Sequence, residues 1–123
     1  KATQWNHDQF IPDVVVINLG TNDSADLNGA KGPLAKADFM ATYVAFLKKL
    51  RGIAPDAKLI LTVGPMQAGP VVDWLPEIAA QFDDAHVLIY SKFAGKADVG
   101  GHWHPSVQKH KAMAEQLIEV IDS

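Results

Sequence analysis

The sequence has no cysteine in its 123 residues. That excludes a disulfide framework, thiolate metal ligands and a cysteine nucleophile. Basic residues are also scarce, with 11 Lys and Arg against 14 Asp and Glu and a formal charge of −3. No basic stripe is available to neutralise phosphates, so nucleic acid is not an expected partner. The densest basic cluster, Lys48, Lys49 and Arg51, ends a helical pattern, where cations complement the helix dipole. No apolar run approaches the ~18 residues that a membrane-spanning helix needs, so no membrane partner is expected. Serine is rare too: Ser24, Ser91, Ser106 and Ser123 are the whole supply. None sits in a G-x-S-x-G or similar nucleophile setting, and Ser24 is not assigned as one.

What remains is ordinary globular material, 48 % apolar and of single-domain length. Asp13–Leu19 (DVVVINL) is a continuous run rich in β-branched residues, without the in/out alternation of a half-buried strand. Such runs mark strands covered on both faces, as in parallel sheets. Lys58–Val63 and His86–Ser91 read the same way. Between them, Phe39, Tyr43, Phe46, Leu47 and Leu50 share one helix face, with Asp38 as N-cap and "APDA" at 54–57 as the stop. Trp74–Phe82 is a shorter helix with Pro76 in its first turn. Val107, His110, Met113, Ala114, Leu117, Ile118 and Ile121 form the stripe of a final helix, and Pro105 suits its first turn.

The order β-α-β-α-β-α implies an α/β layered fold with a parallel sheet. Ligands in such folds bind at the C-terminal edge of the strands. The loops there are Gly20–Lys36, Gly64–Asp73 and Lys92–Trp103. The first holds "NGAKGP" and is a candidate lid or rim. If the strands lie in chain order, Asp13–Leu19 is an edge strand. Edges are usually blunted with charge, proline or bulges, yet Val14–Leu19 offers six consecutive apolar or amide side chains and reads as a central strand lacking a neighbour. With Lys1 as first residue, the expectation is that the chain begins mid-domain.

Two motifs at the ligand edge carry chemistry. Gly20 permits a sharp turn, Asn22 offers a neutral amide N–H that can stabilise a developing oxyanion, and Asp23 supports the turn. The bland alternative is an asparagine capping its own turn. His104, before Pro105 and after a Gly-Gly turn, is suited to a general base. The bland alternative is a capping or surface histidine. His102 and His104 also form an H-x-H pair, which opens a metal reading with His110 and Asp23 as candidate further ligands. His110, however, lies on the apolar stripe, which predicts a buried, hydrogen-bonded role. Trp103 is either core or a sugar-stacking platform.

Taken together, "PDVVVINLGTND" at 12–23, "ILTVGPM" at 60–66 and "HWHPSVQKHKAMAEQL" at 102–117 resemble the SGNH (GDSL-type) hydrolases. The wording is most similar to the carbohydrate esterase family 2 acetylesterases. The resemblance implies a flavodoxin-like three-layer α/β/α sandwich, of which residues 1–123 form the C-terminal part. It implies a serine esterase removing O-acetyl groups from xylan or other plant polysaccharide or sugar acetates. His104 matches the family's general base, Asn22 its oxyanion-hole asparagine and Trp103 an aromatic beside the base. No metal or other cofactor is implied. The nucleophilic Ser and the oxyanion-hole Gly precede the G-x-N-D block in the family, so the partner implied is an N-terminal segment of the same protein. The acid position of the family's D-x-x-H pattern is Gly101 here. Two orienters of His104 are therefore open: a backbone carbonyl, with Gly101 as candidate, and Asp98 from the loop. By resemblance alone the protein is expected to be bacterial and secreted or at the cell surface. Two other readings stay open: a non-catalytic carbohydrate-binding or pseudo-enzyme domain with Trp103 and Trp5 as platforms, and a metal-dependent hydrolase using His102 and His104.

Overall fold

A computed structural model describes residues 4–27, 32–66 and 68–123. The elements follow in the order β1 (Val14–Asn18), α1 (Thr21–Leu27), α2 (Gly32–Ile53), β2 (Lys58–Val63), α3 (Val71–Ala79), β3 (Ala85–Ile89) and α4 (Val107–Asp122). The strands form one parallel sheet in the order β1-β2-β3. Val14 pairs with Lys58 and Leu59 with Ala85, which sets the register across the sheet. This is the expected α/β architecture, and all three strands deliver their C-terminal ends to one edge.

Side chains alternate between the two faces of each strand. Val15, Ile17, Leu59, Leu61, Val63, Ala85 and Val87 share one face and pack in the core with Tyr43, Leu47, Trp74, Leu75 and Ile78 of α2 and α3. Lys58 belongs to the opposite face. Its ammonium donates to the carbonyls of Val120, Ile121 and Ser123, so α4 covers that face. A cation on the terminal carbonyls of a helix suits its dipole and satisfies acceptors that have no partner within the helix.

β1 pairs only with β2 among the described residues. Every residue of β2 from Leu59 to Val63 is buried, whereas Val16 of β1 is 42 % exposed and Leu19 just beyond it 49 %. The strand thus carries central-strand side chains at an edge of this sheet.

Several boundaries differ from the sequence reading. α2 begins at Gly32, so Asp38 lies within the helix and does not cap it. Pro33 provides the earlier start, since a first-turn residue needs no N–H partner. The "NGAKGP" segment falls partly on residues 28–31, outside the described residues; Thr21–Leu27, in the same stretch, is helical. α3 starts at Val71, placing Pro76 inside it and not in its first turn. Tight bonds from Val71 N–H to Ala68 O and Asp73 N–H to Pro70 O wind that earlier turn. His110 is exposed, not buried. Lys109 and Met113 are the buried residues of α4, while Val107 is 89 % and Ile118 54 % exposed. The described sheet is too narrow to cover the whole stripe.

Candidate active site

The first half of the site is the corner between β1 and α1. Gly20 has φ +114°, and a Cβ there would stand 2.7 Å from Val71 Cγ1. Conformation and close packing both require glycine at this position. Asn22 and Asp23 fall in the first turn of α1, with both residues exposed at the ligand edge. The amide of Asn22 makes no hydrogen bond to the described residues, so the turn-capping alternative has no bond to support it. Beneath them Ser24 is fully buried, its Oγ 2.7 Å from Gly20 O and 2.5 Å from Ala68 O. Its single proton is shared between two carbonyls and its oxygen is sealed from solvent, which suits a latch and not a nucleophile.

The second half is the loop from Asp98 to Ser106. The loop is closed at its base. Ser106 N–H donates to Asp98 O at 2.8 Å, Ser106 Oγ donates to Ala97 O at 2.6 Å, and Val99 bridges Pro105. Nearer the crest, Gly100 N–H donates to His104 O at 2.7 Å and His104 N–H to Gly101 O at 3.1 Å. His102 (φ 51°) and Trp103 (φ 62°) are both left-handed, a conformation costly for side-chain-bearing residues and typical of functional turns. This double turn brings the His102 carbonyl to 3.0 Å from Nδ1 of the His104 imidazole. A carbonyl only accepts, so Nδ1 carries the proton and donates it; in the neutral ring Nε2 is then the acceptor, and the ring is exposed.

Both candidate orienters are thereby corrected. The Gly101 carbonyl is occupied by the His104 backbone N–H, and the carbonyl that fixes the imidazole is that of His102. The Asp98 carboxylate accepts the Ala94 N–H at 2.7 Å and lies 3.6 Å from the Lys109 ammonium. Its partners are in the loop base, not at the imidazole.

Between the exits of β2 and β3 lies a cleft of about 630 Å³, lined by Gly64, Pro65, Met66, Tyr90, Phe93 and Trp103 among others. It is mostly apolar, and Trp103 stands at its rim, 77 % exposed. Tyr90 is buried at its floor, where burial raises its phenol pKa while the Thr62 hydroxyl opposes the shift. His102, like His104 and His110, is exposed, and no group of three His, Asp or Glu residues stands together among the described residues. The metal reading therefore lacks a ligand set there. At the opposite edge Arg51 donates to the carbonyls of Pro55, Ala57 and Asp83, a structural role for the basic cluster.

Sequence reasoning missed Lys109. It is the one buried charged residue among the described residues, 4 % exposed, with its ammonium on Ser91 Oγ, Lys92 O and the Asp98 carboxylate. The available signal was its spacing, four residues before Met113 on the same helix face.

No family profile matches the chain. The cellulase/esterase CelE of Acetivibrio thermocellus is 30 % identical over 126 residues, spanning 95 % of this chain and 15 % of that protein. An acetylxylan esterase / glucomannan deacetylase of Cellvibrio japonicus is 31 % identical over 121 residues, spanning 93 % of this chain and 34 % of that protein. The solved structure of a family two carbohydrate esterase from Clostridium thermocellum, in complex with cellohexaose, matches with a TM-score of 0.85 and 29 % identity. That match covers 96 % of this chain and 38 % of the other. The chain thus spans well under half the length of the relatives it matches. Its fold is that of their SGNH-type esterase domain, over the part it spans.

Proposed function

From the chain's kinship with the family 2 carbohydrate esterases, we propose that it forms the C-terminal part of an SGNH esterase domain and supplies two of its catalytic groups. The reaction is removal of O-acetyl groups from xylan or other plant polysaccharide or sugar acetates. The nucleophilic serine and an oxyanion-hole glycine come from an N-terminal segment of the same protein, which pairs with the open edge of β1. The unblunted, half-exposed side chains of that edge support this placement.

His104 accepts the serine proton at Nε2 as the serine attacks the acetyl carbon. It then returns the proton to the leaving sugar hydroxyl, and water repeats the sequence to release acetate. Asn22 donates its amide N–H to the oxyanion, charge stabilisation that needs no titration. No metal or cofactor enters this scheme. The observation that carries the reading is the bond from Nδ1 of His104 to the His102 carbonyl. Such a bond orients the ring and selects its tautomer, two tasks of a triad carboxylate, and so supports a Ser–His dyad with a backbone orienter. A bacterial, secreted or cell-surface enzyme agrees with relatives named for plant-polysaccharide substrates; no described helix is long and apolar enough to cross a membrane.

The test is hydrolysis of p-nitrophenyl acetate by the full-length protein and its His104→Ala variant. The variant is expected to lose about 10⁶-fold in kcat. Activity near that of the unsubstituted protein overturns the assignment. A second reading, non-catalytic carbohydrate binding, is favoured by the exposed indole of Trp103. It prevails if the unsubstituted protein has no esterase activity but retains oligosaccharide binding that Trp103→Ala abolishes.

A further inference from the structure

A lysine in the first turn of a helix is in an unfavourable place. The N-terminal end of the helix dipole is positive, and removing an ammonium from water is costly. Lys109 is the third residue of α4, and it is 4 % exposed. What surrounds it explains the exception. Its ammonium donates to Lys92 O at 2.9 Å and Ser91 Oγ at 3.1 Å, both just beyond β3, and it faces the Asp98 carboxylate at 3.6 Å. Asp98 stands at the foot of the His104 loop, and its own carbonyl receives the Ser106 N–H that closes the loop. A single buried cation therefore ties three segments together: the exit of β3, the base of the loop and the start of α4.

We propose that Lys109 and Asp98 are a positioning pair for His104. The inference rests on the reading of His104 as general base. Asp98 acts on the imidazole at one remove, by fixing where the closed loop sits over the sheet edge. The His102 carbonyl then sets the tautomer and ring direction within the loop. Two tasks that a triad carboxylate performs alone are divided here between a backbone carbonyl and the ion pair that the buried Lys109 makes with Asp98. Loss of the pair leaves the imidazole chemically intact but displaced from the serine, and a displacement of about 1 Å costs on the order of 100-fold in rate.

The experiment uses the full-length protein with Asp98→Asn, Lys109→Met, the double variant, and His104→Ala as control. Sites are counted by complete labelling with a fluorophosphonate, so that kcat is expressed per reactive serine. Each single variant is expected to lose about 10- to 100-fold in kcat for p-nitrophenyl acetate, with KM little changed. The double variant is expected to lose no more than the worse single, because the two residues act as one unit. A per-site kcat within twofold of the unsubstituted protein in the double variant overturns the proposal. A large loss in Asp98→Asn with none in Lys109→Met does so as well, and makes Asp98 a direct partner of the imidazole. If His104→Ala stays active, the esterase reading has failed and this inference falls with it.

Discussion

Gly20 has no room for a side chain, and Gly101 has room to spare. A Cβ on Gly20 meets Val71 Cγ1 at 2.7 Å, while one on Gly101 meets nothing within 4 Å. Both glycines lie at turns on the ligand edge, each beside a proposed catalytic side chain. The corner carrying Asn22 is held by shape, with Gly20 pressed on α3 and Ser24 buried between two carbonyls. The loop carrying His104 is held by polar contacts: backbone bonds, Ser106, and the cation of Lys109 beneath it. Van der Waals fit is stiff and short-ranged, so the corner presents its donor at a fixed point. Polar closure in an exposed loop leaves the crest accessible, and an exposed Nε2 acceptor requires that access.

The comparison breaks most sharply at Asn22. Its side chain is exposed and unbonded to the described residues, so it contributes little to the corner it stands on. Asn22→Ala is expected to lower kcat for p-nitrophenyl acetate by about 10²- to 10³-fold in the full-length protein. Its melting temperature is expected to stay where it was. A loss of stability with activity intact returns Asn22 to the role of turn former. Gly20 gives the opposite signature. Gly20→Ala combines a left-handed φ of +114° with a clash, and is expected to cost about 2–4 kcal/mol in denaturant unfolding. Gly101→Ala, with open space around it, is expected to stay within about 0.5 kcal/mol. Equal costs at the two positions contradict the distinction between shape and polar closure.

These two halves were unequally legible in the sequence. The strands announced themselves because burial on both faces leaves continuous apolar runs, and Gly20 followed from its place at the end of one. β1 was read from its side chains as a central strand lacking a neighbour; among the described residues it is an edge strand, with Val16 42 % exposed. The helix starts were read late, at Asp38 and Trp74, because capping side chains were sought where Pro33 and the bonds at Pro70 begin the winding. In the His104 loop the decisive contact is to a carbonyl, and every residue has one. Only the paired left-handed conformations of His102 and Trp103 bring the His102 carbonyl to the ring, and residue type alone does not specify them. Lys109 was hidden for a related reason. Amphipathic patterning assigns lysine to solvent, and its burial depends on Ser91, Lys92 and Asp98, which are distant in sequence.

Trp103 offers the finest test of how the loop is held. Its indole is 77 % exposed, so little packing energy is lost by removing it. Its backbone sits at φ 62°, and alanine inherits that conformation without relieving it. If the loop is closed by polar contacts alone, Trp103→Ala is expected to change stability by no more than about 0.5 kcal/mol. The His102 carbonyl then keeps its hold on the imidazole, and kcat for p-nitrophenyl acetate, which has no sugar to stack, is expected to be unchanged. For an acetylated oligosaccharide KM is expected to rise several-fold, because the lost surface is the rim of the cleft. A fall in kcat on the small ester with a normal KM means instead that the indole braces the loop, and that shape matters in this half of the site as it does at Gly20.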